Sequence, residues 1–229
     1  MDRIFFRNKG ITLIELLVAL VISSILVAAL YRTFIRQQKT YMIQDQVVDM
    51  QQNVRVAIDR MSRELRMAGY GGNILTVFGN VNGFSNIITP VDNANNIGNN
   101  DDKITIILAD QVGVLTSNAL KGSTTLSVTN ADKFNTVKKK YLNLNGQNNY
   151  VVSSVSGSTI TLTTALAEDH LANEPVNLVK AITYGLGLSA DIPVLQRDEN
   201  TGGGAQPLVE NIENLQLIYK DGNYPEGVP

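Results

Sequence analysis

Cysteine and tryptophan are absent from this 229-residue chain, and there is a single histidine. Without cysteine there is no disulfide, no thiolate zinc site, no cysteine nucleophile and no cysteine-linked lipid. One histidine rules out metal sites built from several imidazoles. A charge excess of one sign is also lacking, since 19 Lys and Arg stand against 21 Asp and Glu, a formal net charge of -2. No strongly basic surface is available, so no nucleic acid is expected as a partner. The composition, 44% hydrophobic and 17% charged, is that of a globular chain of one or two domains with a real core. It is not that of a disordered, collagenous or disulfide-stapled one.

Proline and glycine are missing between Ile11 and Ala68. Residues 11–30 read ITLIELLVALVISSILVAAL, with one charge, Glu15. As a helix they span about 30 Å, the thickness of a bilayer core. Thr12, Ser23 and Ser24 do not spoil the run, because small hydroxyls bond back to the helix backbone. Such a run at the extreme N-terminus reads as an anchor rather than a core helix. Arg3, Arg7 and Lys9 give the basic start of a secretory signal, and Ala28 and Ala29 offer an ordinary cut. The run is long for a cleaved signal, however, and continues into helix-compatible YRTFIRQQKT, so the anchor is expected to stay attached. Arg32, Arg36 and Lys39 on the far side match the three cations before it, so the positive-inside rule is a tie.

Glu15 is costly in hydrocarbon and needs a cation, unless it lies near the interface. A cut after Gly10 would create an α-amine on Ile11 in the same membrane layer. That amine can pair with Glu15 of its own chain or of a neighbour, and in a bundle the pairing sets the axial register.

The segment Lys9-Gly10-Ile11-Thr12-Leu13-Ile14-Glu15-Leu16-Leu17-Val18-Ala19-Leu20 closely resembles the prepilin motif of type IV pilins and type II secretion pseudopilins. The resemblance implies that a prepilin peptidase cuts after Gly10 and methylates Ile11. It implies that Glu15, with Thr12 beside it, serves subunit assembly. Ile11 departs from the phenylalanine commoner at that place. The cut removes three of the 19 basic and one of the 21 acidic side chains, leaving 16 and 20, a side-chain net charge of about -4. Many major pilins carry a proline in the membrane half of the helix, and this chain has none there.

Beyond the apolar run, Val47, Met50, Val54, Ala57, Ile58, Met61 and Leu65 follow at steps of mostly three and four, which places them on one helix face. Gly69, Gly71 and Gly72 end the pattern. A helix is therefore expected from about 11 to 67, roughly 85 Å long. Residues 11–39 are its transmembrane and assembly half, and 40–68 its amphipathic half. A coiled-coil stalk would show the same periodicity, but the pattern lasts about three heptads and meets a β-rich region, which favours packing on a sheet.

Residues 73–100 are rich in Asn and Gly and read as a surface loop, with a short strand possible at 85–89. Strands are expected at 103–109, 124–129, 141–145, 149–155, 158–164, 176–186, 193–198 and 208–219, with a hairpin turn at Ser156-Gly157. The expected fold is α+β. The long helix packs on an antiparallel sheet of 103–109, 179–187, 193–197 and 212–219, and residues 119–180 form an inserted β-roll or barrel lobe. Residues 69–118 hold the loop and first strands of the body, and 181–229 its last strands. The helix end Arg66-Met67-Ala68-Gly69-Tyr70-Gly71-Gly72, the strand opened by Asp101-Asp102, Ala181-Ile182-Thr183-Tyr184 and Leu208-Val209-Glu210-Asn211-Ile212 resemble PilW-type minor pilins. J-type pseudopilins share the plan. Members often continue beyond a segment such as YKDGNYPEGVP, so either a short member or a missing end is expected.

No catalytic constellation emerges. His170, in AEDHLANEP, reads as a surface or turn histidine, and no G-x-S-x-G elbow accompanies it. Asp101-Asp102 and Asp198-Glu199 read as turn formers. Calcium at Asp198, Glu199 or Asp221 stays open, although no EF-hand spacing is present. Gly202-Gly203-Gly204 lacks the Lys-Ser/Thr of a phosphate loop. Lys138-Lys139-Lys140 reads as a solvated turn. No cofactor and no enzyme activity are expected.

The resemblance implies a minor pilin that primes or tips a type IV pilus, with a type II secretion pseudopilin as the alternative. A tethered exported binding protein is the reading from another class. Implied partners are the prepilin peptidase, other minor and major pilins, the inner-membrane assembly platform and, before assembly, membrane lipid. The implied location is the inner membrane with the body in the periplasm, then the pilus at the cell surface.

Overall fold

The computed structural model describes residues 11–92 and 101–218. The leader with Gly10, the Asn-rich stretch 93–100 and the segment 219–229, with Asp221, lie outside the described residues. One helix, α1 (Leu13–Arg66), takes up all but the ends of the proline- and glycine-free stretch. The chain divides into two compact units, residues up to 52 and residues 53–229. In the first, α1 is exposed along nearly its whole length. It is the one described helix long and apolar enough to cross a membrane. Inside it the Ser24 hydroxyl donates to the Val21 carbonyl at 2.7 Å, and the Thr33 hydroxyl to Ala29 at 3.0 Å.

Among its described residues the second unit contains the end of α1, the short helix α2 (Ile74–Phe78) and nine strands. These are β1 (Ile88–Val91), β2 (Lys103–Val114), β3 (Thr125–Ser127), β4 (Tyr141–Leu144), β5 (Asn148–Ser156), β6 (Thr159–Leu162), β7 (Pro175–Ser189), β8 (Ile192–Asp198) and β9 (Gln206–Glu210). All pairings are antiparallel.

The centre is β7. One edge pairs with β2 from Pro175 to Tyr184. The other edge divides, residues 176–178 pairing with β4 and residues 183–189 with β8. The sheet thus runs β1-β2-β7-β4-β5-β6-β3, with β8 and β9 branching from β7.

Strand β2 is apolar on both faces, and both are covered. Ile104, Ile106 and Leu108, with Ile182 and Tyr184 of β7, form one core, against which Met61 and Ala68 pack. Ile107 and Ala109 on the opposite face cluster with Val179, Ala181, Tyr141, Ile74 and Val81. The sheet is therefore a middle layer between the end of α1 and the segment carrying α2. A third core, including Leu115, Leu126, Leu142, Ile160 and Val176, fills the space among β3 to β6 and the start of β7.

The turn after α1 needs its glycines. Gly69 and Gly71 have φ of 80° and 124°. A Cβ on Gly71 would lie 2.8 Å from Ile74 Cδ1 and 3.0 Å from Ala109 Cβ. Its carbonyl accepts from the Asn143 and Asn149 amides at 3.0 and 2.8 Å.

Two expectations are corrected here. The last strand among the described residues is β9, at 206–210, and residues 212–218 are not a sheet strand. They are pinned by Asp102 instead. The Asp102 N–H donates to the Leu215 carbonyl at 2.8 Å, and the Leu217 N–H donates to Asp102 Oδ2 at 2.7 Å. Asp101 and Asp102 are thus buried groups, 0% and 3% exposed, rather than surface turn formers. Periodicity cannot distinguish an extended segment paired in a ladder from one held by a side chain.

Replacing Asp102 by Ala leaves the Leu217 N–H without its acceptor. The expected cost is about 1–3 kcal/mol, read by urea unfolding of the full chain in detergent. Hydrogen exchange at Leu217 should rise more than exchange at Val179. Equal exchange changes at the two amides would refute the pinning role.

Candidate functional site

At the start of α1, Thr12 is the N-cap and Glu15 the third helical residue. The Thr12 N–H and hydroxyl both donate to Glu15 Oε2, at 2.8 and 2.9 Å. The Glu15 N–H points back to the Thr12 hydroxyl at 3.4 Å. This is a capping box, two side chains satisfying each other's free helix-end groups. Its signature, T-x-x-E before an apolar run, is visible in the sequence. A carboxylate here is also favoured by the helix dipole. Ile11, at 80% exposure, precedes the helix.

Of the stripe on the lower half of α1, Ala57 is buried and Met61 packs on two of the cores. Val47, Met50, Val54, Ile58 and Leu65 are exposed. Ile58, Met61 and Leu65 line a cavity of about 410 Å³ shared with Ile104, Ile106, Tyr184 and residues 214–217.

The face that meets the sheet runs Ala57, Met61, Glu64, Ala68. Glu64 is the residue that spacing arguments pass over, as one of the polar positions between stripe members. Its carboxylate accepts from the Tyr184 hydroxyl at 2.6 Å and from Arg197 Nε at 3.2 and 3.1 Å. Arg60 Nε adds a bond at 3.1 Å. Arg197 also donates to Glu199 at 2.9 Å, and Glu199 accepts from the buried Lys180 at 2.8 Å. Lys180 pairs with Asp110 at 2.9 Å. A chain of alternating charge thus crosses from α1 through β8 and β7 to β2. The sequence signal was a carboxylate in step with Ala57 and Ala68, which requires a cation from the opposing layer.

Burial opposes the charge on Glu64, but hydrogen bonds from Arg197 and Tyr184 and the Arg197 charge outweigh it and hold its pKa below the usual carboxylate value. Burial likewise opposes ionisation of Glu199, yet Lys180 and Arg197 bring its pKa down to about 2. Burial and the bond to Glu64 push the Tyr184 phenol well above its ordinary value, so it stays a donor.

His170 is corrected from a surface to a buried residue, 2% exposed. It bridges to Ala119, and its Nδ1 lies 2.7 Å from Glu174 Oε2. Among the described residues no group of three or more His, Cys, Asp or Glu could hold a metal ion.

Residues 5–31 match the prokaryotic N-terminal methylation motif. No curated protein and no solved structure matches the chain. The motif supports a type IV pilin-like protein, of a class that is structural rather than catalytic. It implies processing by a prepilin peptidase and assembly with other pilins. Together with the apolar helix it fits an inner-membrane-anchored pilin.

Arg197→Ala leaves Glu64, 14% exposed, with Tyr184 and Arg60 as donors, and Glu199, 37% exposed, with Lys180. Loss of the charged hydrogen bond to the more buried Glu64 costs about 1.5–3 kcal/mol, and Tyr184→Phe a similar amount, both measured by urea unfolding. Because Glu199 has its folded pKa lowered from 4.5 to about 2, its contribution is complete above pH 4.5. It is lost as pH falls toward 2, since the unfolded chain binds the proton first. The stability of the wild type should therefore fall steeply between those values, and that of Glu199→Gln less so. Parallel curves would contradict this.

Proposed function

We propose that this chain is a minor pilin. It enters the inner membrane through α1, is cleaved after Gly10 and methylated on Ile11, and is then drawn into a type IV pilus, where it primes or tips the filament. The observation that carries this is the methylation motif at residues 5–31, which includes the apolar run 11–30 with its one charge. Glu15 serves assembly by pairing with the Ile11 α-amine of its own chain or a neighbour. Thr12 holds the carboxylate in place until then. Residues 53–229 are the exported body, periplasmic at first and at the cell surface after assembly. Within it, residues 119–180 are a lobe added to the pilin plan. A unit of this bulk crowds a repeating helical lattice, which supports a tip or priming position over the shaft.

The deciding experiment is the mass of the N-terminal peptide from protein made with and without the host's prepilin peptidase. A peptide starting at Ile11 with one added methyl, present only with the peptidase, is expected. A start at Met1, or a cut near Ala29, would overturn the reading. Glu15→Gln should leave the protein in the membrane and remove it from sheared filaments, where the wild type is expected in far less than stoichiometric amount. A shaft subunit would instead be near-stoichiometric.

A further inference from the structure

The cations that follow the apolar run share one face. Arg32, Arg36 and Lys39 fall within about 60° of arc at 3.6 residues per turn. All three are exposed, and none takes part in an ion pair among the described residues. The next acidic residues of α1, Asp45 and Asp49, point about 130° away from this face. Residues 12–31 cover about 30 Å of helix, so the first of the three cations stands where a bilayer's hydrocarbon ends. Their long apolar stems keep their charges at that boundary. Headgroup phosphates supply the complementary charge, and the guanidinium fork matches phosphate oxygens in pairs. Removal of the leader takes away Arg3, Arg7 and Lys9, so this ladder carries the only side-chain cations left beside the span.

We propose that Arg32, Arg36 and Lys39 bind anionic phospholipid headgroups of the leaflet nearer the body, and so set the depth of α1 in the membrane. This rests on the reading that α1 spans a bilayer. The arrangement is directional. Movement of α1 toward the body carries the three cations from headgroups into water. Movement the other way drags them into hydrocarbon, which is far less favourable. The ladder therefore resists slippage inward and leaves the outward path open, with Glu15 the one side-chain charge that must cross.

The cysteine-free chain allows a direct test. Single spin labels at Leu20→Cys and Tyr31→Cys are read by power saturation in nanodiscs, of phosphatidylcholine alone or with phosphatidylglycerol. The full chain is compared with its Arg32→Gln/Arg36→Gln/Lys39→Gln variant, which preserves helix propensity. With phosphatidylglycerol, the label at 31 is expected at the hydrocarbon boundary in the parent. In the variant it should move inward by about one helical turn, roughly 5 Å, and phosphatidylglycerol enrichment around the chain should disappear. An unchanged depth at 31 in the variant overturns the proposal, whatever the enrichment. A label at 20 that lies in water overturns the spanning reading and the proposal with it. A label at 20 in lipid with an unchanged 31 overturns the ladder alone.

Discussion

The carboxylate of Glu64 is the node on which the body depends. It sits on the helix face that touches the sheet, where burial alone would make it neutral or expel it. Arg197 and Tyr184 reach it from two different strands, and Arg60 reaches it from the preceding turn. The cost of desolvation is met by direct donors. Around it the flanking contacts are small or flexible, Ala57, Met61 and Ala68. The apolar fit by itself would tolerate a helix shifted along its axis. A shift by one turn would take Glu64 away from both Arg197 and Tyr184 and leave Arg197 with Glu199 alone. Specificity of docking thus comes from the charged cluster, and bulk stabilisation from the cores on either side.

The head of the helix uses the same device in a simpler form. Glu15 has no cation among the described residues near it, but its carboxylate accepts from the backbone and hydroxyl of Thr12. A carboxylate so held is already oriented at the helix end. An α-amine created at Ile11 would appear within a residue of the same oxygen. Pairing would then exchange one set of donors for a stronger one, without rebuilding the turn.

Much of this was legible from residue patterns. The helix from 13 to 66 follows from the absence of proline and glycine and from the glycines that end it. Strands β2 to β8 follow from β-branched runs and turn residues. What was not legible depends on partners distant in sequence. Glu64 looks like any polar residue between apolar ones until Arg197 and Tyr184, more than 100 positions away, are placed beside it. Asp102 looks like a turn former until Leu217 docks on it. His170 looks solvated until its backbone bridges to Ala119 and its side chain is buried. The short helix α2 is too brief for periodicity to reveal. In each case the local pattern was compatible with two environments, and a long-range contact chose between them.

The shared strand β7 ties β3 to β6 mechanically to the rest of the body. Residues 176–178 are hydrogen-bonded to β2 on one edge and to β4 on the other. Residues 183–189 of the same strand hold β8, which carries Arg197. No flexible linker therefore separates β4 to β6 from the strand that grips α1. Asn143 and Asn149, from β4 and β5, also bind the Gly71 carbonyl just past the helix end. Bending β3 to β6 against the helix end would break ladder bonds and buried amide bonds together. A partner that engages β3 to β6 thus meets a surface held rigidly to the last turns of α1. The position and orientation of β4 are set by the same strand that holds β8 and its Arg197.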